Sequence, residues 1–135
     1  MSRKIARELT FKVIFSIDFQ NENEQIKSLI SNLENETNEI NDEDKAYIEA
    51  IATGVAEKKN ELDEKIQKYL KGWTMERISK TDLAILRLAI YEILYRDDIP
   101  YKVSVNEAIE LAKSFSDNSS PSFINGVLAG VIGEL

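Results

Sequence analysis

The chain has 135 residues, a formal net charge of −7 at neutral pH, and neither cysteine nor histidine. This length suits one hydrophobic core, so we expect a single domain over residues 1–135. Without cysteine there are no disulfides or thiolate nucleophiles, and without histidine the commonest general base and zinc ligand is missing, so we expect no enzyme activity, no catalytic residue, no metal ion and no cofactor.

Apolar residues recur with helical spacing along almost the whole chain, and no β-branched stretch alternates with period two. The first predicted helix runs from about Arg3 to Phe19. Its apolar stripe consists of Ile5, Leu9, Val13 and Ile17, and Phe11 and Phe15 widen it. A second helix is predicted from about Glu24 to Glu34, and a polar, acidic loop follows it.

Asn41 is predicted to cap a third helix, with Asp44 at its third position. The predicted buried face of this helix consists of Tyr47, Ile48, Ile51 and Val55. A fourth helix is predicted to end just before Gly72, since glycine suits the position after a helix. We interpret Trp73 as a packing anchor between helices and expect a short helical turn over residues 74–78.

Ser79 with Asp82 has the spacing of a helix start and predicts a fifth helix that ends near Arg96. Ser104 with Glu107 repeats this spacing and predicts the start of a sixth helix. The pattern therefore places Lys102 in the loop before this helix.

The last helix is predicted to begin at Ser120, with Pro121 at its first helical position. Seven short helices joined by short loops indicate an all-α bundle. The acidic loop 35–44 is the only plausible boundary between an N-terminal group of three helices and a C-terminal group of four.

The charges are unevenly distributed: residues 1–20 carry a net +2, residues 21–64 a net −9, and residues 65–135 are balanced. A basic N-terminal helix beside an acidic body indicates anion binding at one end, and a solvated basic face explains the same pattern equally well. No apolar run is long enough to cross a bilayer and no signal peptide opens the chain, so we expect a cytoplasmic protein without a membrane attachment.

The most informative stretches are DIPYKVSVNEAIELAKSF at 98–115 and SFINGVL at 122–128. They resemble the family of bacterial transcription antitermination factors called NusB, whose members carry IP-x-KV-x-x-NEAIELAK-x-F followed by FVNGVL. RKIARE at 3–8 and RISKTDLAILRLAIYEIL at 77–94 are also similar to segments of that family. The resemblance implies an all-α fold, a compact bundle of about seven helices in two small helical subdomains.

The resemblance also implies a non-enzymatic RNA-binding factor. NusB proteins pair with NusE, a ribosomal small-subunit protein, and the pair recognises boxA, a single-stranded element of nascent ribosomal RNA leader transcripts. Held on the transcribing RNA polymerase, the complex suppresses premature termination. This function requires cations for phosphates and exposed rings or amides for unstacked bases.

The family's RNA-binding positions fall, in this chain, on Arg3, Lys4, Arg7, Tyr69, Lys102, Phe123 and Asn125. We expect one face of the first helix to present the three N-terminal cations, and Lys102 to lie in the loop before the sixth helix. Phe123 is either a ring that stacks on a base or a core residue, and Tyr69 is equally open. For Asn125 we favour a buried hydrogen bond over contact with a base.

Two acids, Glu76 and Asp82, match family positions that imply contact with NusE, although Asp82 is also explained as part of a helix cap. Two positions depart from the family pattern. Ser122 stands where many members have lysine, and Ser116 where many have glycine. Without this lysine, we expect an RNA affinity that is weaker or that depends more on the N-terminal cluster.

Two other interpretations remain open. A helical scaffold that binds only protein fits the acidic surface, and RNA binding distinguishes it from an antitermination factor. The N-terminal module of certain ribosomal RNA methyltransferases has a related fold. The chain has no Rossmann-like segment, so we expect that it does not methylate RNA by itself.

Overall fold

The computed structural model describes residues 3–20, 25–36, 40–72 and 74–135, and within these ranges it contains seven α-helices and one short 3₁₀ turn. The helices are α1 (Arg3–Gln20), α2 (Gln25–Glu36), α3 (Asp42–Glu57), α4 (Lys59–Lys68), α5 (Lys80–Tyr95), α6 (Tyr101–Phe115) and α7 (Ser120–Gly133). The 3₁₀ turn is Met75–Arg77. No strand occurs in the described ranges, so the predicted all-α fold is confirmed. Trp73 lies outside the described residues.

The helices form two compact units, Met1–Glu57 with α1 to α3 and Lys58–Leu135 with α4 to α7. The predicted grouping of three helices and four helices is therefore confirmed. The predicted boundary in the loop 35–44 is wrong, because α3 follows that loop and packs against both α1 and α2. An acidic loop here connects two helices of the same unit.

In the N-terminal unit, α1 buries a face that differs in part from the predicted stripe. Leu9 and Val13 are buried, whereas Ile5 is 43% exposed and Ile17 is half-buried. Four residues advance roughly 40° beyond a full helical turn, so a row of i+4 positions winds around the helix and its two ends leave the core. Ala6 and Ile14 complete the buried face instead.

The start of α3 is the one that the sequence predicts. Asn41 accepts a hydrogen bond at its Oδ1 from the backbone N–H of Asp44, at 2.8 Å. Acidic residues occupy the first turn, where they interact favourably with the helix dipole. All four predicted core residues of α3, namely Tyr47, Ile48, Ile51 and Val55, are buried.

In the C-terminal unit, α5 is the central helix and packs against α4, α6 and α7. It is apolar on nearly every side, as expected for a helix surrounded by others. The exceptions are buried and paired. Arg87 donates two hydrogen bonds to the carboxylate of Asp63 on α4, at 2.8 and 3.0 Å. Glu92 accepts a hydrogen bond from Ser104 on α6, at 3.1 Å.

The predicted start of α6 at Ser104 is wrong. The helix begins at Tyr101, with Pro100 in the extended conformation just before it. Ser104 is buried within the helix, where its hydroxyl bonds to Glu92 and does not cap the helix. Proline is well suited to this position because its fixed φ initiates a helix and its missing N–H would have had no partner there.

The other predicted helix ends agree more closely with the structure. Ser79 caps α5 by accepting a hydrogen bond from the backbone N–H of Asp82, at 3.0 Å. α7 begins at Ser120 with proline in its first turn. Helix α4 ends at Lys68, earlier than predicted, and Gly72 lies in the following connection with a φ of +79°. None of the helices in the described ranges is long and apolar enough to cross a membrane.

Candidate nucleic-acid interface

The N-terminal cations do not share one exposed face. Lys4 is exposed in the first turn of α1, whereas Arg7 is only 5% exposed. Arg7 lies three, four and seven positions before Thr10, Phe11 and Ile14, which are all buried, so helical geometry directs it to the packed side. The expectation that Arg7 joins Lys4 on an exposed face is therefore wrong. Arg3 begins α1, and its side chain lies outside the described residues.

Tyr69 is half-buried at the end of α4 and is held against α7. Its hydroxyl donates a hydrogen bond to Glu134, which also accepts from Lys65 and Lys68. Its ring packs on Gly130, where an added Cβ would overlap the ring atoms. These contacts assign Tyr69 a structural role in joining α4 to α7.

The charges around Glu134 shift the pKa values of the groups that meet there. Hydrogen bonds from Lys65, Lys68 and Tyr69 lower the pKa of Glu134 from its usual 4.5 to about 2. The hydrogen bond to Glu134 in turn raises the pKa of Tyr69. At neutral pH the Glu134 carboxylate is therefore ionised and the Tyr69 phenol is neutral.

Lys102 lies in the first turn of α6, not in the loop that the sequence predicts. The reason is the earlier start of that helix. The side chain is exposed, as are those of its neighbours Tyr101 and Val103. Lys102 therefore presents a cation to solvent from an ordered helix.

Phe123 lines a pocket of about 240 Å³ where the 3₁₀ turn, the start of α5 and the start of α7 come together. We call this the α5–α7 pocket. Its lining residues are Arg77, Ile78, Ser79, Asp82, Asp117, Ser119, Ser120 and Phe123. The pocket is smaller than the roughly 300–1,000 Å³ of sites for drug-sized ligands. It therefore suits one small group and not a drug-sized ligand.

Phe123 itself is half-buried, between the two alternatives that the sequence left open. Asn125 is exposed on the same helix, so the favoured interpretation of a buried hydrogen bond is wrong. The structure thus leaves an amide accessible two residues after a ring that lines an open pocket. Both groups are of the kind that contacts unstacked bases.

The two acids predicted to contact NusE occupy different environments. Glu76 is exposed on the 3₁₀ turn. Asp82 is 7% exposed, and both of its carboxylate oxygens accept hydrogen bonds from serine hydroxyls. Asp82 is therefore part of the pocket wall and not of an exposed acidic surface.

Residues 117–120 contribute pocket groups that the sequence analysis missed. Asp117 accepts hydrogen bonds at Oδ1 from the hydroxyl and the backbone N–H of Ser119, at 2.7 and 3.0 Å, and the Ser120 hydroxyl oxygen lies 3.1 Å from the same atom. These bonds, that of the Ser119 hydroxyl first, lower the pKa of Asp117. The Asp-x-Ser spacing is a known turn signal and could have identified this loop. Arg77 is an exposed cation in the pocket lining, and no local sequence pattern identifies it as a pocket residue.

The chain matches a family model described as the NusB family over residues 4–133. It is 46% identical over 134 residues to the transcription antitermination protein NusB of Acetivibrio thermocellus, covering 98% of this chain and 89% of that protein. It is 41% identical to the protein of the same name in Clostridium novyi, covering 98% of each. The sequence similarity therefore extends over nearly the full length.

Solved structures agree with the sequence comparison. The T. maritima NusB structure superposes with a TM-score of 0.87 at 30% identity, covering 99% of this chain and 92% of that one. A chain from the complex of the antitermination factors NusB and NusE with double-stranded RNA superposes with a TM-score of 0.86 at 23% identity, covering 98% and 97%. The second similarity supports the fold alone.

Proposed function

The chain belongs to the NusB family, and from this premise we propose that it is a transcription antitermination factor which binds boxA RNA together with NusE. It acts on the nascent ribosomal RNA leader, and the complex it forms on the transcribing RNA polymerase prevents premature termination. The chain itself has no catalytic activity and works in the cytoplasm. Residues 1–135 function as one RNA-binding domain.

The observation that carries this proposal is the position of Phe123 in the α5–α7 pocket. A half-buried ring beside an opening of about 240 Å³ offers a stacking surface for one unstacked base. The exposed amide of Asn125 can donate to and accept from a base edge. Residues two apart lie on different sides of a helix, so Phe123 and Asn125 contact different nucleotides of the strand.

Phosphate contacts come from exposed cations. Lys4 and Lys102 are exposed on α1 and α6, and Arg77 is exposed at the pocket. We include Arg3 among the cations that contact phosphates, because it occupies a basic position of the family. Arg7 is excluded from direct phosphate contact by its burial. Tyr69 supports the C-terminal unit through Glu134 and Gly130 rather than through RNA.

The NusE surface includes Glu76, an exposed acid that can pair with basic residues of a ribosomal protein. Asp82 does not contact NusE directly in this proposal, because both of its carboxylate oxygens accept hydrogen bonds from serines of the protein itself. Charge reversal at Glu76 should lower NusE affinity without a change in melting temperature. An unchanged affinity would remove Glu76 from this surface.

The proposal is tested by titrating a labelled single-stranded boxA-like RNA with the protein, with and without NusE, at fixed salt. A scrambled single strand and a duplex of the same length serve as controls. We expect the boxA strand to bind more tightly than either control, and NusE to increase the difference. Equal affinity for the boxA and scrambled strands in the presence of NusE would contradict the proposal.

A helical scaffold that binds only protein is the second candidate, and the burial of Arg7 favours it because one of the N-terminal cations is removed from the surface. The acidic residues Asp42 and Glu43 are exposed at the start of α3 and fit a basic protein partner. In the same titration, NusE binding without binding of any RNA would select the scaffold.

A further inference from the structure

Three helix ends meet at one buried carboxylate in the C-terminal unit. Asp82 lies in the first turn of α5. Its Oδ1 accepts a hydrogen bond of 2.7 Å from Ser116, the C-cap residue directly after α6. Its Oδ2 accepts a hydrogen bond of 3.0 Å from Ser120, the first residue of α7.

The two serines also contact each other, with 2.7 Å between their hydroxyl oxygens. Each serine has one hydroxyl proton and the carboxylate has none, so at most two of these three contacts are full hydrogen bonds at one time. Asp82 and Ser120 are only 7% and 2% exposed. Hydrogen bonds shielded from water are strengthened, and loss of one partner leaves a buried polar group unsatisfied. The start of α7 is therefore held in one position relative to α5 and α6.

Fixing Ser120 also fixes the position of Phe123, because the two residues belong to the same helical turn. Ser120 and Phe123 are three positions apart on α7, so they lie on neighbouring parts of the same face. The backbone N–H of Phe123 donates to the carbonyl of Ser119 at 3.2 Å, within the turn that Ser120 begins. Asp82, Ser120 and Phe123 all line the α5–α7 pocket.

We propose that Asp82, Ser116 and Ser120 form a positioning cluster that fixes the first turn of α7 and thereby the ring of Phe123 in the α5–α7 pocket. Ser116, at a position where the family resemblance leads one to expect glycine, supplies one of the two hydroxyls. The expected effect of this cluster on RNA affinity rests on the proposed function, whereas its effect on the position of the Phe123 ring does not. Asp82 is then a positioning residue that acts through Phe123.

The test uses the full chain labelled with para-fluorophenylalanine, with the Phe123 resonance assigned among the five phenylalanines. Asp82→Ala removes both acceptors, and Ser116→Ala removes one donor with a smaller effect on folding. Ser114→Ala is the matched control, because this serine is exposed in the last turn of α6, two residues before Ser116. Fluorine NMR spectra and boxA titrations are recorded below the melting transition of each variant.

We expect the Phe123 resonance to shift or broaden in Asp82→Ala and Ser116→Ala and to remain unchanged in Ser114→Ala. RNA affinity should fall in Asp82→Ala by no more than in Phe123→Ala, because the cluster acts on RNA only through that ring. Asp82→Asn should recover most of this loss, because an amide still accepts from one serine and donates to the other. That recovery would distinguish hydrogen bonding from the effect of the charge.

An unchanged Phe123 resonance in Ser116→Ala would overturn the positioning cluster, and so would an Asp82→Asn spectrum identical to that of Asp82→Ala. If the resonance responds while RNA affinity stays at the level of Ser114→Ala, the cluster is supported and the RNA role of Phe123 fails. The two proposals can therefore fail independently. If Asp82→Ala does not fold, Ser116→Ala provides the same NMR comparison.

Discussion

Phe123 differs from the other residues assigned to the site because its ring is neither core nor fully exposed. A fully buried phenylalanine costs about 3–5 kcal/mol when truncated to alanine, through loss of burial and formation of a cavity. A ring that lines an open pocket leaves a smaller cavity. Its truncation should therefore reduce ligand binding more than folding.

We predict that Phe123→Ala weakens boxA binding by roughly 1–3 kcal/mol, the value of stacking one base on an aromatic ring. The free energy of unfolding should decrease by less than that of a core substitution. Phe115→Ala is the matched control, because Phe115 is 38% exposed and does not line the pocket. Equal RNA affinities for the two variants would remove Phe123 from the interface.

The carboxylate of Glu134 predicts a pH-dependent contribution to stability. Its pKa is lowered from 4.5 to about 2 in the folded protein by Lys65, Lys68 and Tyr69. A depressed folded-state pKa stabilises the protein above the unfolded-state pKa, and this contribution is lost as pH falls towards the folded-state value. The affected range is therefore about pH 4.5 to pH 2.

Chemical denaturation of the wild type and of Glu134→Gln measures this contribution. The wild type should be the more stable protein at neutral pH, and the difference should diminish between pH 4.5 and pH 2. A difference that does not change with pH would show that the charge of Glu134 makes no contribution. Glu107→Gln is the control, because Glu107 lies on α6 outside this cluster.

Among the elements, α7 contains three glycines, and the structure distinguishes Gly130 from Gly126. At Gly130 a Cβ would overlap the Tyr69 ring, whereas at Gly126 nothing lies within 4 Å of the added atom. Alanine in a helix interior is favoured over glycine by about 0.5–1 kcal/mol when there is space for it. The two substitutions should therefore have opposite effects on stability.

We predict that Gly126→Ala raises the melting temperature and that Gly130→Ala lowers it. Adding Tyr69→Ala to Gly130→Ala should produce a smaller further loss than Tyr69→Ala causes in the wild type, because the two changes affect the same contact. Thermal melting of the four variants checks this. Equal melting temperatures for the two glycine variants would show that the Tyr69 ring does not require glycine on α7.

Local capping signals predicted some elements well and failed at one. The pairs Asn41 with Asp44 and Ser79 with Asp82 mark real helix starts, because their hydrogen bonds join residues three apart. Ser104 has the same spacing to Glu107, yet its hydroxyl bonds to Glu92 on another helix. A tertiary partner of this kind cannot be recognised from local spacing.

Part of the candidate site could also be predicted from the sequence. Phe123 and Asp82 were identified from the family resemblance, and the structure brings them into one pocket. The orientation of Arg7 could have been inferred from its helical spacing to Thr10 and Ile14. The contacts of Ser116 and Ser120 could not, because they depend on how the connection from α6 returns the chain to α5.

For the whole molecule, the net charge of −7 opposes RNA binding, so the exposed cations must act locally. Each phosphate contact contributes about one unit to the dependence of log affinity on log salt. Lys4 lies in the N-terminal unit and Lys102 in the C-terminal unit. If residues 1–135 act as one RNA-binding domain, both lysines should contribute to this slope.

We predict that Lys4→Gln and Lys102→Gln each lower the salt slope of boxA binding by about one unit. Arg7→Gln should leave the slope unchanged and lower the melting temperature, because Arg7 is buried. RNA titrations over a range of salt concentrations, together with thermal melting, check both effects. A reduced slope for Arg7→Gln at unchanged stability would return Arg7 to the RNA surface.

The most direct test of the account is terminator read-through by a transcribing RNA polymerase in a purified system containing NusE. The template carries boxA upstream of a terminator, and a matched template carries a scrambled boxA. We predict that adding this protein increases read-through on the boxA template and has no effect on the scrambled one. An equal effect on both templates, or no effect on either, would contradict the assignment as an antitermination factor.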